Sequence, residues 1–139
     1  MVEHTKITLG YWKIRGTAQS IRYILEFLGV PYNSEHYEQG DGPEFSKECW
    51  FGVKHTLGFD FPNLPYLIDS DFKLSESTAI MRYIAGKYGH DGFSGKDAKE
   101  KAIVDMIFGV VGDIKSATGP HMYGSGDKNA INEISKRME

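Results

Sequence analysis

The chain has 139 residues, 40% hydrophobic and 25% charged, enough for one ordinary domain or for one small domain plus part of another. Its 16 Lys and Arg against 19 Asp and Glu leave a formal net charge of -3. That balance excludes a nucleic-acid partner held by bulk electrostatics and a polybasic membrane surface. No apolar run approaches a membrane span, and residues 1–6 lack the apolar core of a secretory signal.

In chain order, Ile7-Thr8-Leu9 predicts a short strand running towards Tyr11 and Trp12. Ala18, Ile21, Leu25 and Leu28 then recur at helical spacing, and Gly29 stops that helix. Val30-Pro31-Tyr32 restarts an extended stretch towards Tyr37. Residues 40–61 are rich in glycine, aromatic and charged residues and read as a long ordered loop with a helical turn or two. Residues 66–69 and 72–74 form a hairpin around Ser70-Asp71, and Ser75 caps a helix carrying Ile80, Tyr83 and Ile84 on one side. Gly89 and Gly92 end it.

Residues 94–97 look like a capping box for a further helix bearing Ile103, Ile107, Val110 or Val111, and Ile114, with Gly119-Pro120 as its breaker. Another helix begins near Gly124 and carries Ile131, Ile134 and Met138, so the pattern is still running at Glu139. The expectation is a βαβαββα unit over residues 1–90 and an incomplete all-helical domain over residues 91–139.

Cys49 is the only cysteine, so no disulfide forms within the chain, and a reducing cytosol fits best. The five histidines are scattered without metal-ligand spacing, and no metal is expected.

Three stretches carry chemistry. In "LGYWKIRGTAQSIR" (residues 9–22), Tyr11 and Trp12 stand at the end of a strand just before a helix. Packing is the commoner role of an aromatic there. The same place is where open sheets bind ligands, and a tyrosine hydroxyl can donate to an anion at the helix N-terminus. In "DFPNLPYLID" (residues 60–69), Pro65 precedes a strand. A trans bond is the base-rate expectation, whereas a cis Leu64–Pro65 bond would leave the Leu64 N–H and C=O free for an extended peptide-like ligand. In "SESTAI" (residues 75–80), a helix cap coincides with an acceptor and a hydroxyl, Glu76 and Ser77, suited to a zwitterionic ligand end.

Together with Trp50 and Lys54, these stretches resemble the cytosolic glutathione transferases, the mu class most closely. The resemblance covers nearly all of the first 90 residues and continues more weakly to about Tyr123. It implies a thioredoxin-like domain that binds glutathione as cosubstrate, with no metal or redox cofactor, in a cytoplasmic homodimer that conjugates small hydrophobic electrophiles.

By that resemblance Tyr11 is the catalytic residue, hydrogen-bonding the glutathione sulfur. A free thiol titrates near pH 8.5, and an aimed donor favours its thiolate. Trp12, Lys47, Trp50 and Lys54 hold the glycyl end. Leu64 pairs with the cysteinyl unit, Pro65 is the family's cis proline, and Asn63 lies beside the ligand. Glu76 and Ser77 bind the γ-glutamyl end, with Glu76 where the mu class usually has glutamine. Asp113 reaches into the neighbouring subunit's site, although a solvated charge late in a helix is the commoner role. Tyr123 lies near the electrophile, Phe61 plugs into the partner subunit, and Arg82 lies near the dimer axis.

The family continues through further helices. Lacking them, the chain reads as a C-terminally shortened form, and a catalytically weak glutathione-binding or dimerisation module is the alternative function. A glutathione-dependent isomerase is a third possibility. A thioredoxin-type redox role is disfavoured, because the chain has no Cys-x-x-Cys.

Overall fold

The computed structural model describes residues 7–122. The chain divides into two compact units at Phe93 and Ser94.

The first unit is built in the order β1 (Ile7–Trp12), α1 (Gln19–Phe27), β2 (Asn33–Tyr37), α2 (Glu48–Phe51), β3 (Tyr66–Asp69), β4 (Phe72–Ser75) and α3 (Ser77–Tyr88). This is the βαβαββα order expected from the sequence. The four strands lie in the order β2-β1-β3-β4, with β1 parallel to β2 and antiparallel to β3. A parallel pair needs a crossover, which α1 supplies.

Side chains alternate across the sheet with period two. Ile7 and Leu9 of β1 and Leu67 of β3 enter one core with Ile21 and Leu25 of α1 and Ile80 and Ile84 of α3. All seven are at most 2% exposed, and each such side chain contributes about 1.5–3 kcal/mol on burial. Tyr66 and Ile68 join a second, aromatic cluster with Tyr37, Trp50, Trp12, Leu57, Phe59 and Leu64. The segment between β2 and β3 supplies Trp50, Leu57, Phe59 and Leu64 to that cluster, whereas its Phe45, Phe51 and Phe61 are exposed.

Two local expectations are corrected. β2 begins at Asn33 rather than Val30, because the Val30 N–H is taken by the Leu25 carbonyl at the end of α1 and Pro31 has no N–H to give. Ser75 does not cap α3. It is the last residue of β4, its Oγ donates to the Phe61 carbonyl at 2.6 Å, and α3 starts after Glu76 with no side-chain cap. Asp69 ends β3 inside the protein. It accepts from Tyr83 Oη at 2.8 Å, Tyr88 Oη at 2.7 Å and Lys87 Nζ at 2.5 Å, and so ties the sheet to α3.

The second unit contains α4 (Ala98–Met122). Its cap is Asp97, not Ser94. Asp97 Oδ1 accepts from the N–H groups of Lys99 and Glu100, and Glu100 Oε2 accepts from the Lys96 N–H, so the capping box lies three residues later than expected. The helix also runs through Gly119 and Pro120 to Met122. Ile103, Met106, Ile107, Val110 and Val111 are exposed along α4. The helix expected from Gly124 onwards lies outside the described residues. Among the described residues no helix is long and apolar enough to cross a membrane.

Candidate glutathione site

Tyr11 ends the buried row Ile7–Leu9–Tyr11 of β1 and is 8% exposed. Its hydroxyl oxygen accepts a hydrogen bond from the Thr17 N–H at 3.1 Å. That N–H lies just before α1, whose N-cap, Ala18, has no side chain able to satisfy an orphan donor. The tyrosine does so instead. A phenol oxygen that accepts still has its own proton to give, so Tyr11 retains a donor.

The turn holding this arrangement is stapled by Arg22, whose Nη1 donates to the carbonyls of Ile14 (3.2 Å) and Arg15 (3.3 Å) and to Gln19 Oε1 (3.0 Å). Gly16 sits in the turn at φ +41, and a Cβ there would lie 2.7 Å from the Tyr11 hydroxyl. Both the backbone angle and the close approach require glycine.

Trp12 points to the other face of the sheet, into the aromatic cluster. Its ring meets Tyr37 edge-on at 6.4 Å, Tyr37 meets Trp50 at 5.2 Å, and Trp50 stacks on Tyr66 at 6.0 Å. Tyr37 and Tyr66 share a buried hydroxyl–hydroxyl hydrogen bond of 3.0 Å. Burial raises both phenols, Tyr66 the further, so the pair is a structural tie of neutral groups. Tyr66 in turn lies over Gly10, where a Cβ would fall 2.1 Å from the ring. Neither tyrosine was singled out from the sequence. The alternation of Tyr66, Leu67, Ile68 and Asp69 across the two faces was the signal available.

Trp50 is 3% exposed on α2, and Lys54 follows one turn later, its N–H bonded to the Trp50 carbonyl at 2.9 Å. The Lys54 ammonium lies 5.5 Å from the Phe51 ring centroid. Lys47 is exposed at the N-cap of α2. Leu64 packs on the aromatic cluster, and the Leu64–Pro65 bond is cis, as is Gly42–Pro43, which was not anticipated.

The Leu64 N–H is not free, contrary to the expectation. It donates to Asn63 Oδ1 at 2.9 Å, while Asn63 Nδ2 donates to Glu76 Oε1 at 3.2 Å. Glu76 adopts φ +70 between β4 and α3, and Ser77 opens the helix. Contacts therefore run from Trp12 through Tyr37 to Trp50 in the cluster on which Leu64 packs, and from Leu64 through Asn63 to Glu76, while Tyr11, next to Trp12 in sequence, lies on the other face of β1.

Phe61 is 79% exposed, and Arg82 is exposed on α3. Asp113 is exposed on α4 in the second unit. Tyr123 lies outside the described residues. Among the described residues no group of three or more His, Cys, Asp or Glu could hold a metal ion. What the site offers is a phenol donor, cationic and indole groups around α2, a backbone edge at Leu64, and a carboxylate beside a helix start.

Residues 7–86 match the family profile described as glutathione S-transferase, N-terminal domain. The chain belongs to the glutathione S-transferase family. It is 46% identical over 111 residues to glutathione S-transferase 2 of Gallus gallus, covering 80% of this chain and 49% of that protein. It is 46% identical over 101 residues to glutathione S-transferase Mu 4 of Mus musculus, covering 73% and 45%. Glutathione S-transferase Mu 4 of Rattus norvegicus is 40% identical over 132 residues, covering 95% and 59%. The chain thus spans about half the length of the curated relatives it matches.

Among solved structures, the glutathione S-transferase Blo t 8 superposes with a TM-score of 0.76 at 29% identity, covering 94% of this chain and 58% of that one. A Nu-class transferase of Haemonchus contortus gives 0.72 at 27%, covering 94% and 63%. The likeness to the mu class and the thioredoxin-like fold both stand.

Proposed function

We propose that this chain carries the glutathione site of a transferase that conjugates the thiolate of reduced glutathione to small hydrophobic electrophiles, a detoxifying activity of the cytoplasm. The supporting observation is the Tyr11 hydroxyl. Its acceptor side is taken by the Thr17 N–H at 3.1 Å, so the proton it retains is the group available to a ligand sulfur.

Glutathione is the cosubstrate, and the residues present suit it. Tyr11 donates to the sulfur and favours the thiolate over the thiol. Trp12, Lys47, Trp50 and Lys54 receive the glycyl carboxylate end, where a cation and indole groups fit an anion. Leu64, set by Pro65, pairs its backbone with the cysteinyl unit, and Asn63 borders it. The Glu76 carboxylate takes the γ-glutamyl ammonium, while Ser77 and the start of α3 take the carboxylate beside it.

The remaining roles concern the assembly. Phe61 is the anchor between subunits of a homodimer, Arg82 lies near its axis, Asp113 reaches the partner's γ-glutamyl site, and Tyr123 faces the electrophile. Residues 1–90 act as the glutathione-binding domain and residues 91–139 as part of the helical domain.

The test is calorimetry of glutathione on the purified chain, with light scattering for mass and a conjugation assay with a generic electrophile. Saturable binding by an active dimer is the expected result. Binding without turnover would favour the reading as a glutathione-binding module, and no binding would refute the site.

A further inference from the structure

β2 lies at one end of the sheet order, and among the described residues β1 is its only neighbour. It pairs with β1 in unbroken register, from Thr8–Asn33 to Trp12–Tyr37. The Tyr37 carbonyl accepts from the Lys13 N–H at 2.8 Å, so the Tyr37 backbone groups face β1. Backbone direction alternates along a strand, and Ser34 and His36 therefore turn their N–H and C=O groups outwards. Edge strands are commonly blunted by a bulge, a proline or a lysine, and β2 contains none of these. Residues 33–36 are all exposed.

This edge is acidic on both faces. By the same alternation Glu35 stands on the Tyr37 side of the sheet and Ser34 on the opposite side. There Ser34 joins Glu26, Gly29, Val30, Pro31 and Tyr32 around a cleft of about 490 Å³. The cleft lies at the C-terminus of α1, where helix carbonyls favour a cation and the last turn holds no basic residue. Burial, and then the Glu26 carboxylate, push the Tyr32 phenol above its ordinary value. The Arg22 guanidinium opposes that shift, but it is committed to the carbonyls of Ile14 and Arg15. Neither Glu26 nor Glu35 has an ion-pair partner among the described residues.

A second copy of the chain suits this edge poorly. Two-fold antiparallel pairing through Ser34 and His36 centres on Glu35, and sets two carboxylates across from each other in the closer, non-hydrogen-bonded position. A strand with basic side chains meets the acidic positions instead. Neighbouring residues of a strand point to opposite faces, so two adjacent basic residues serve both: one lies across from Glu35, and the next enters the cleft beside Ser34 and Glu26. We propose that the β2 edge is a docking site for an extended peptide segment of another protein that carries two adjacent basic residues and adds as a strand beside β2. The backbone groups of Ser34 and His36 supply the ladder, and the two carboxylates supply the preference for a basic partner.

The experiment titrates the full chain into fluorescein-labelled Thr-Val-Arg-Lys-Val-Thr, read by anisotropy, with amide hydrogen exchange on the complex. Glutathione is left out, so the result does not depend on the reading of that site. Saturable binding is expected, with exchange slowed at the Ser34 and His36 N–H groups. Two further peptides are N-methylated at alternate residues, in opposite phase. An added strand uses one side of its backbone, so one of these peptides is expected to bind about 10-fold or more weakly and the other to keep its affinity. Replacing Arg-Lys by Glu-Glu is expected to abolish binding. Glu35→Lys is expected to weaken the Arg-Lys peptide about 3- to 10-fold and Glu26→Gln about 2- to 5-fold. Both side chains are exposed, so circular dichroism should not change.

No saturable binding by the wild type would overturn the proposal. So would N-methylated peptides that both bind or both fail, or Ser34 and His36 amides that exchange at their free rates in the saturated complex. Variants that bind like the wild type would place the contact on other carboxylates of this acidic chain and overturn it equally.

Discussion

Replacing Tyr11 by phenylalanine keeps the ring that packs at the end of β1 and removes one oxygen atom with two jobs. The first is structural: the Thr17 N–H loses its acceptor at 3.1 Å. One such bond contributes about 1 kcal/mol net, so unfolding should move by roughly that amount. The second is chemical. A hydrogen bond to a charged partner is worth about 1.5–3 kcal/mol. At about 1.4 kcal/mol per unit, losing it raises the pKa of the bound thiol by about 1–2 units. Near neutral pH the thiolate fraction, and with it the conjugation rate, should fall about 10- to 100-fold, while glutathione affinity changes little. The assay is a pH titration of the thiolate ultraviolet absorbance of bound glutathione in both proteins, alongside the pH profile of conjugation. A variant whose bound thiol titrates with the wild type would refute the assignment, whatever happens to its stability.

Further outcomes follow from the same geometry. Gly16→Ala sets a Cβ 2.7 Å from the Tyr11 hydroxyl at φ +41, so conjugation should fall further than glutathione affinity, with a stability loss of about 1 kcal/mol or more by denaturation. Gly10→Ala drives a Cβ to 2.1 Å from the Tyr66 ring and should destabilise by about 1–3 kcal/mol, read from the denaturant midpoint and from Trp50 fluorescence. Burial alone would raise the pKa of Asp69, but the hydrogen bonds from Lys87, Tyr88 and Tyr83 outweigh it and hold the carboxyl below its ordinary 3.8. Its contribution is therefore full above about pH 4 and is lost as pH falls through the lower folded-state value. Asp69→Asn should cost about 2 kcal/mol at neutral pH and flatten that acid limb of the stability profile; an unchanged limb would show that another carboxylate sets it. Phe61→Glu should shift mass in light scattering from dimer to monomer without lowering glutathione affinity, and a dimer that survives would remove Phe61 from the interface.

Element order in the first unit was legible mainly where an element carries its own period, which α2 and β2 do not. Ala18, Ile21, Leu25 and Leu28 announce α1, and the hairpin shows its two-residue turn. The boundaries that moved did so through contacts between distant residues. Ser75 looks like a cap in isolation, but its hydroxyl is spent on Phe61, fourteen residues earlier in the chain. Asp97 rather than Ser94 caps α4 because Glu100 is placed to complete that box. At the site, Tyr11 and Trp12 stood out by residue type and place, but nothing local tells that the Tyr11 hydroxyl meets Thr17. Alternation puts Tyr66 on the aromatic face but does not name Tyr37 as its partner, and the Asn63 bridge is invisible to periodicity, because each joins segments that come together only once the sheet has formed. The assignment of the glycyl-end residues came from the family likeness alone.

Tyr11 and Trp12 are neighbours in sequence, yet they serve opposite faces of β1, one beside the start of α1 and the other in the aromatic layer. The strand is in effect a two-sided key whose cut depends on parity. Deleting or inserting a single residue between Ile7 and Tyr11 would send the phenol into the aromatic layer and the indole towards the helices, even if every residue type were kept. Natural length variation in this protein should therefore be confined to the segments between strands, such as residues 38–47, where one residue more or less changes no side chain's face.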